Sequence, residues 1–507
     1  MKHAGLLPLL GCLAALVSCV TPASAAPPAM QIQADIVTLN LDKETTEATG
    51  QAKLSYGEVS LSSDAITANR QSGDVEAAGQ LSLTQAGRRL EGDNLSFNFL
   101  NNKGVLHNAH VREQGVIIRG ESIEFSPQQI VARHAYFTTC QKPVPDYSLA
   151  AGEISLTAPQ TTPGKQPESG KLTLDHARVN YHRRSLFTLP RYSVRVGQIG
   201  EQGTSPFPAS GFDREDGPYA QIGYSVGGLG RKSGLDFSYR YTTLRGIRGY
   251  LRFAEQRGPL EFQAGVVRRE VTTDRELKAD DFTTGLANVM VNREPEFGLS
   301  LTDLRVSRSL SLRAELRQGS YSETEHFTTR TRARANRTTA SGLLSLTPYR
   351  VTHKLSLSHA IGWRESSYST GSHLSIRFLR HSLRYAPSSS TKAEFSYATR
   401  RGSGQTPFLF DSIEVGRGLL SDVRFRLNPQ WRFQVVDLYD LGRRDTRDMM
   451  LAATRTTDCL DYTIGWRKQR GMLFVGINLE PPVAEGRKDD RAGAPAAGDR
   501  AAAFGEY

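Results

Sequence analysis

Long hydrophobic runs are missing from most of this 507-residue chain. Only 38% of its residues are hydrophobic. After Val20 no segment approaches the roughly 20 consecutive apolar residues that a transmembrane helix needs. A membrane-spanning form of the chain would therefore have to be a closed β-barrel, because only helices and closed barrels satisfy their backbone hydrogen bonds internally.

Catalytic and metal-binding motifs are also missing. The sequence has no Gly-x-Ser-x-Gly elbow and no compact set of serine, histidine and acidic residues, so we predict no enzymatic activity and no catalytic residues. No histidine or carboxylate cluster has metal-ligand spacing, which predicts neither a metal site nor a cofactor. The histidines considered are scattered through predicted strands: His134, His176, His182, His353, His359, His373 and His381.

The N-terminus has the features of a secretory signal. Lys2 and His3 precede the apolar run Leu6–Val20, and Ala23-Ser24-Ala25 offers a small-x-small cleavage site. We predict a signal peptide over residues 1–25. The alternative is lipoprotein processing, which would leave Cys19 as a lipidated N-terminus. The chain is exported in both cases.

Cysteine is scarce, with four residues in the whole chain. Only Cys140 and Cys459 certainly remain after removal of the signal. Because an exported protein meets an oxidising compartment, two such cysteines most simply form one disulfide. The alternative is two unpaired thiols.

The charge balance is basic, with 63 lysines and arginines against 52 acidic residues and a net charge of +11. This balance is compatible with a solvated basic surface. It also suits contact with anionic groups such as lipid phosphates, which arginine binds well. Nucleic acid is not expected as a partner, since an exported chain does not meet it as a normal ligand.

Residues 26–184 contain an internal repeat. The acidic residues Asp35, Asp64, Asp93 and Glu121 each precede an apolar strand pattern, at spacings of 29, 29 and 28 residues. Apolar residues alternate within each unit, which is the period of half-buried strands. Since one hairpin cannot bury its apolar face alone, we predict that the units stack into an all-β roll, a jellyroll-like arrangement of repeated strands.

Residues 185–482 have a different pattern. Segments of about 9–12 residues alternate apolar with polar or arginine side chains, as in Leu235–Tyr241, which is typical of membrane β-barrel strands. The length predicts an antiparallel transmembrane barrel of about 14–16 strands. Residues 483–507 are rich in alanine, glycine, aspartate and arginine and are expected to be a disordered tail.

Three prolines lie around the expected start of the barrel. Pro190 falls inside the predicted first barrel strand, and Pro206 and Pro208 lie just beyond it. Proline removes a hydrogen-bond donor from a sheet, so these residues suggest a weakened seam that could act as a lateral gate. The alternative is an ordinary loop or a bent strand entry.

Five short sequence segments, in the same order along the chain, resemble the lipopolysaccharide-assembly outer-membrane protein family, LptD, also called organic solvent tolerance protein. They are Ile32–Val37, Ala135–Cys140, Gly211–Tyr219, Pro407–Asp411 and Asp458–Tyr462. The resemblance implies a translocon in the cell outer membrane with its N-terminal domain in the periplasm. Such a protein receives lipopolysaccharide, or a related glycolipid, from periplasmic lipopolysaccharide-transport β-roll proteins. It inserts the lipid into the outer leaflet through a laterally opening barrel.

The resemblance also implies particular site residues. Cys140 and Cys459 stand where a disulfide of the family joins its two domains. An acyl-chain groove inside the roll would be lined by Leu83, Leu95, Phe97, Phe99, Val111, Ile118, Ile123 and Phe125. The chain departs from the family in allowing one disulfide instead of two and in its smaller barrel. A plug lipoprotein in the lumen is therefore left open, while contact with outer-membrane lipid is expected.

Two other functions are compatible with the sequence. One is a passive outer-membrane porin with a structural periplasmic domain, and the other is a binding scaffold that never enters a membrane.

Overall fold

The computed structural model describes residues 30–42, 44–57, 59–85, 88–113, 115–157, 170–196, 205–230, 233–274, 287–325 and 330–479. The expected signal peptide and C-terminal tail lie outside these ranges. The regular elements described are β-strands and short 3-10 helices.

Within the described ranges, no helix has the length and apolar content needed to cross a membrane.

The N-terminal part forms one antiparallel sheet of 12 strands, hereafter the N-terminal sheet. Both β1 and β2 pair with β3, and the remaining strands follow in sequence order to β12. The strands are β1 Gln31–Gln33, β2 Ile36–Asn40, β3 Thr45–Tyr56, β4 Val59–Asn69, β5 Asp74–Gln85, β6 Arg88–Asn98, β7 Lys103–Glu113, β8 Val116–Phe125, β9 Gln129–Thr138, β10 Tyr147–Thr157, β11 Lys171–Tyr181 and β12 Arg184–Arg195.

The sequence repeat corresponds to a repeated β-bulge. Gly50 and Gly79 have φ angles of +82° and +89°, and each lies against the acidic residue of the neighbouring unit, Asp35 and Asp64 respectively. The pairing register shifts beside both glycines. A bulge bends and twists a sheet locally, so bulges stacked at the same place in successive strands curve the whole sheet about one line.

The same position recurs further along the sheet without glycine. Asn108, at φ +45°, donates a hydrogen bond to Asp93 over 2.9 Å, and His134, at φ +44°, lies 3.2 Å from Glu121. Asparagine tolerates this conformation because its short polar side chain bonds locally. Each sequence repeat of about 29 residues therefore folds as one β-hairpin that contains a bulge.

The second part is a closed antiparallel barrel of 16 strands with five or more residues each, which confirms the predicted fold class and agrees with the expected strand number. A two-residue strand, β21, pairs with β22 at one edge. The strands are β13 Ala209–Asp213, β14 Gly217–Gly230, β15 Ser233–Thr242, β16 Gly246–Arg257, β17 Leu260–Val271, β18 Val289–Ser307, β19 Leu310–Glu325, β20 Thr331–Leu346, β21 Tyr349–Arg350, β22 Leu355–Tyr368, β23 His373–Ser388, β24 Thr391–Gly404, β25 Arg417–Asn428, β26 Trp431–Asp440, β27 Asp445–Thr456, β28 Leu460–Arg467 and β29 Met472–Leu479.

The structure corrects the expected domain boundary at residue 185. Strand β12 pairs with β11 of the N-terminal sheet, and the barrel begins only at Ala209. Pro190 therefore lies in the last strand of the N-terminal sheet and not in the first barrel strand. An edge strand tolerates proline because one side of it makes no ladder hydrogen bonds. The alternation of β12 is the same as that of a barrel strand, which is why the sequence pattern misplaced it.

The two faces of the barrel differ in polarity. The lumen face buries charged and polar side chains, among them Arg240, Glu270, Arg337, Asp411 and Arg467. The outer face exposes apolar side chains, which include Leu251, Val266, Leu299, Leu316, Ile361, Leu451, Ile464, Leu473 and Val475. An apolar outer belt around a polar interior is the arrangement of transmembrane barrels.

We call the end of the barrel that holds the β27–β28 turn the near end, because this turn contacts the N-terminal sheet. The opposite end, which holds the β28–β29 turn, is the far end. Strand direction alternates around the barrel, so the segment between β24 and β25 also lies at the far end.

Candidate functional site

The eight predicted groove residues come together inside the N-terminal sheet. All of them belong to one buried apolar cluster, and none is more than 4% exposed. Phe97 and Phe125 stack there with ring centroids 5.7 Å apart. The interior is filled by these side chains, so a guest acyl chain could enter only if the facing strands moved apart.

Cys140 and Cys459 form a disulfide that joins the N-terminal sheet to the barrel across 319 positions of sequence. Cys140 follows β9 and Cys459 ends the turn before β28, and both are fully buried. The bond places the β9–β10 connection of the N-terminal sheet beside the last hairpin of the barrel.

Other contacts cross the same junction. The hydroxyls of Tyr181 and Tyr462 lie 3.2 Å apart. Lys142 lies 2.8 Å from Asp146 in its own domain and 3.8 Å from Asp458 in the barrel turn. Each of these contacts is modest, but together with the disulfide they fix the orientation of the two domains at this point.

Tyr147 forms the buried floor of the junction. Its hydroxyl interacts with the backbone N–H of Thr139 at 3.0 Å and with the Thr139 hydroxyl at 2.7 Å. Burial raises the pKa of Tyr147 to about 12, against the lowering effect of these hydrogen bonds. Its ring meets Phe207 edge-on, with centroids 6.2 Å apart, so the segment leading into the barrel packs on it.

The apolar interior of the N-terminal sheet continues into the barrel. The same buried cluster includes Leu460 and Leu479, at the near ends of β28 and β29. Ile222 and Ile477 pack against it from the barrel wall. One continuous apolar core therefore runs from the N-terminal sheet to the last two barrel strands.

The barrel closes at these same strands through its shortest pairing. Strands β13 and β29 share three residue pairs, whereas the other pairings among these 16 strands contain between 5 and 15. We call the β13–β29 pairing the seam. Pro206 and Pro208, two of the predicted gate residues, lie in the segment immediately before β13 and so border the seam at its near end.

Contacts at both ends supplement the short seam. At the near end the Ser205 hydroxyl donates to the carbonyl of Ile477 over 2.8 Å. At the far end Arg470, in the β28–β29 turn, lies 2.7 Å from Asp213 and 2.8 Å from Asp216. Between these ends a Cβ atom at Gly211 would collide with the carbonyl of Leu473, so only glycine allows the strands to approach there.

The segment between β24 and β25 folds into the lumen. Phe408, Phe410 and Asp411 are almost fully buried there. The carboxylate of Asp411 accepts hydrogen bonds from Arg337 over 2.7 Å and from the hydroxyl of Tyr368 over 2.8 Å. This segment, residues 405–416, therefore fills part of the barrel interior, and we call it the lumen segment.

The described residues contain one group with metal-ligand proximity, formed by Cys140, Asp146 and Cys459. Their potential ligand atoms lie within 4.8 Å of one another. The two sulfur atoms are bonded to each other, so they are not available as thiolate ligands while the disulfide is formed.

Residues 31–130 match the family model described as LptA/(LptD N-terminal domain) LPS transport protein. This part of the N-terminal sheet is therefore similar to the LptA/LptD N-terminal domain. No curated protein matches the chain at a significant level. The match covers most of the bulged repeats of the N-terminal sheet and ends within β9.

Solved structures show weaker likenesses. LptH, the LptA homologous periplasmic component of the lipopolysaccharide transport device of Pseudomonas aeruginosa, is 19% identical over 20% of this chain and 76% of its own, with a TM-score of 0.19. CdiB from Acinetobacter baumannii is 12% identical over 54% of this chain and 58% of its own, with a TM-score of 0.35. OmpT, an outer membrane protein of Vibrio cholerae, is 10% identical over 72% of this chain and 92% of its own, with a TM-score of 0.25. The similarity to the LptA/LptD N-terminal domain rests on the family model over residues 31–130.

Sequence reasoning missed two features of the site. The first is Arg470, whose pairing with Asp213 and Asp216 spans more than 250 positions of sequence. The second is the inward fold of the lumen segment, because Pro407–Asp411 was singled out only for its family resemblance and was given no position in the barrel. The apolar residues Phe408, Leu409 and Phe410 were an available signal, since exposed loops usually have few large apolar residues.

Proposed function

We propose that the chain receives lipopolysaccharide, or a related glycolipid, at its N-terminal sheet and releases it into the outer leaflet by opening the seam. The barrel would lie in the outer membrane and the N-terminal sheet in the periplasm. The observation that carries this proposal is the continuous apolar core that ends at the shortest strand pairing of the barrel.

Acyl chains would follow the interior of the N-terminal sheet. The eight groove residues are proposed to contact them once the facing strands separate. Their close packing in this structure means that lipid entry exchanges protein–protein for protein–lipid apolar contacts, and such an exchange costs little in transfer free energy. The disulfide would keep the outlet of this interior next to β28 and β29 during the separation.

The seam would then open towards the bilayer. Opening the seam would break only three residue pairs. The prolines before β13 have no N–H that could extend the pairing. The Arg470 contacts at the far end would have to open as well, or act as a hinge.

Exposed apolar residues on the first strands of the N-terminal sheet are consistent with the binding of a periplasmic β-roll partner. Ile36, Leu39 and Leu41 are each more than 60% exposed at this edge. Exposed edge strands recruit further strands from other chains, and apolar side chains there would be covered by such an addition. A roll of the same type stacked on this edge would extend the apolar interior towards the inner membrane.

The lumen segment does not support the porin alternative, because buried aromatic and charged side chains occupy part of the path that a solute would follow. The exposed apolar belt does not support a scaffold that stays in water.

Cross-linking the seam tests the proposal. Ser210 and Val475 are directly paired across it, so a Ser210→Cys/Val475→Cys variant should lock the barrel when oxidised. We expect the oxidised variant to lose surface glycolipid, measured by extracellular labelling, whereas the Ser210→Cys and Val475→Cys single variants, which cannot form the bond, should retain it. The matched control is Leu251→Cys/Val266→Cys, which pairs β16 with β17 on the same outer face. Normal surface glycolipid with the seam locked would overturn lateral release.

A further inference from the structure

A cleft at the far end of the barrel carries an unusual concentration of positive charge. It has a volume of about 450 Å³ and is lined by four arginines, Arg400, Arg401, Arg417 and Arg443, and by one carboxylate, Asp440. Four positive charges against one negative charge leave a balance of +3 within the cleft. We call this the arginine cleft.

The walls of the cleft are held by backbone hydrogen bonds. The N–H of Arg400 donates to the carbonyl of Gly416 over 2.7 Å, and the N–H of Leu441 donates to the carbonyl of Arg417 over 2.9 Å. The side chains of the cleft therefore project from three adjacent strand ends whose positions are fixed.

The single carboxylate of the cleft serves to shape a turn. One oxygen of Asp440 accepts hydrogen bonds from the N–H groups of Gly442 and Arg443, over 2.7 and 3.2 Å. It thereby orients the segment from which the Arg443 side chain extends. Arg401, Arg417 and Arg443 form no ion pair with any residue that the structure describes, and all three are exposed.

Arg401 lies on the outer-face side of the cleft, whereas Arg400 lines it from the lumen side. Along β24, Phe395, Tyr397 and Arg401 point to the outer face, while Ser396, Ala398 and Arg400 point to the lumen. Arg401 lies four residues beyond Tyr397, a distance of about 13 Å along the strand. A molecule with its anionic group in the cleft could therefore place an apolar part against the belt residues below it.

We propose that the arginine cleft binds the phosphoryl headgroup of an outer-leaflet lipid whose acyl chains lie against the apolar belt. Guanidinium groups form short, bidentate hydrogen bonds with phosphate oxygens, and several of them around one cleft match a doubly charged phosphoryl group. The cleft lies on β24, β25 and the β26–β27 turn, several strands away from the seam. It shares with the proposed function only the placement of the barrel in a lipid bilayer, so either proposal can fail without the other.

The test uses the full chain purified in a neutral detergent and three soluble probes. These are dihexanoyl phosphatidic acid, dihexanoyl phosphatidylcholine and inorganic phosphate, with affinities measured by titration calorimetry. We expect phosphatidic acid to bind about tenfold or more tightly than the other two, because only it combines an unshielded phosphoryl charge with acyl chains. Its affinity should fall as the salt concentration rises.

The decisive variant is Arg401→Gln/Arg417→Gln/Arg443→Gln, which leaves the buried Arg400 in place. The control is Arg305→Gln/Arg308→Gln/Arg350→Gln, which removes the same charge from exposed arginines at the near end. We expect the first variant to lose the preference for phosphatidic acid and the second to keep it, with both retaining heat-modifiable migration on gels as a folded barrel does. Equal binding by both variants would overturn the site. Equal affinity of the wild type for inorganic phosphate would overturn the lipid assignment, and equal affinity for phosphatidylcholine would overturn the role of charge.

Discussion

The N-terminal sheet and the barrel use the same alternating strands in opposite ways. In the N-terminal sheet the apolar side chains face inward, so that Leu83 is fully buried. In the barrel they face outward, so that Leu316 is 48% exposed, and the enclosed face holds arginine and acidic residues. An alternating sequence therefore predicts that a strand has one apolar and one polar face, but it does not predict which face lies inside the structure.

The difference also changes what holds each interior together. The interior of the N-terminal sheet is stabilised by non-directional burial, whereas the barrel interior depends on paired charges such as Arg337–Asp411 and Arg467–Asp448. A buried charge is costly when its partner is removed, while an apolar core loses stability gradually with the volume deleted. The two regions should thus respond differently to single substitutions.

The largest loss of stability is expected for a substitution in the barrel lumen. Replacing Asp411 with alanine leaves the guanidinium groups of Arg337 and Arg364 buried without their carboxylate, which should cost about 3–5 kcal/mol. The barrel should then unfold at a lower temperature in detergent, as measured by heat-modifiable gel migration. Glu255→Ala is the control, because it breaks a pair with Arg257, which is 82% exposed, and should leave the unfolding temperature unchanged. Equal stability of the Asp411 variant and the wild type would show that the lumen charges are solvated.

A smaller effect is expected at the bulges of the N-terminal sheet. Gly79→Ala places a side chain at φ +89° and against Asp64, which should cost about 2 kcal/mol. Hydrogen exchange should become faster in β4, β5 and β6, where this bulge lies, and not in the barrel. Gly152→Ala is the control in the same sheet, since an added Cβ there meets no atom within 4 Å. If both variants exchange alike, the bulges are not a constraint on the fold.

The smallest effect at neutral pH is expected at the junction between the two regions. The pKa of Tyr147 is raised to about 12 in the folded chain, from 10.0 for an ordinary tyrosine. The folded state thus favours the neutral phenol, so its contribution is complete below pH 10 and is lost as the pH rises from 10 towards 12. The wild-type junction should loosen over this range, seen as faster hydrogen exchange in β9 and β10. In the Tyr147→Phe variant the junction should be less stable by about 1 kcal/mol at pH 7, and it should not loosen further between pH 10 and 12. Loosening of the same size in the variant would assign the titration to another group.

Much of this architecture could be predicted from residue patterns, and the failures have physical causes. The period of 29 residues indicated stacked hairpins, and the two late cysteines indicated a bond between distant segments. Strand β12 was misplaced because it alternates as a barrel strand does, and because a sheet edge and a barrel entry both tolerate proline. The contacts of Arg470 and of the lumen segment were missed because they join residues that are far apart in sequence. Local periodicity does not predict which distant strands become neighbours when the barrel closes.

Stacked bulges have a consequence for how the N-terminal sheet can vary in length. Each hairpin bends at the same height and keeps the same inward side, so a whole unit added or removed would change the reach of the domain without changing its cross-section. A gain or loss of a single residue within a unit would instead turn every following side chain to the opposite side. The length of the N-terminal sheet can therefore change in steps of one hairpin, independently of the barrel.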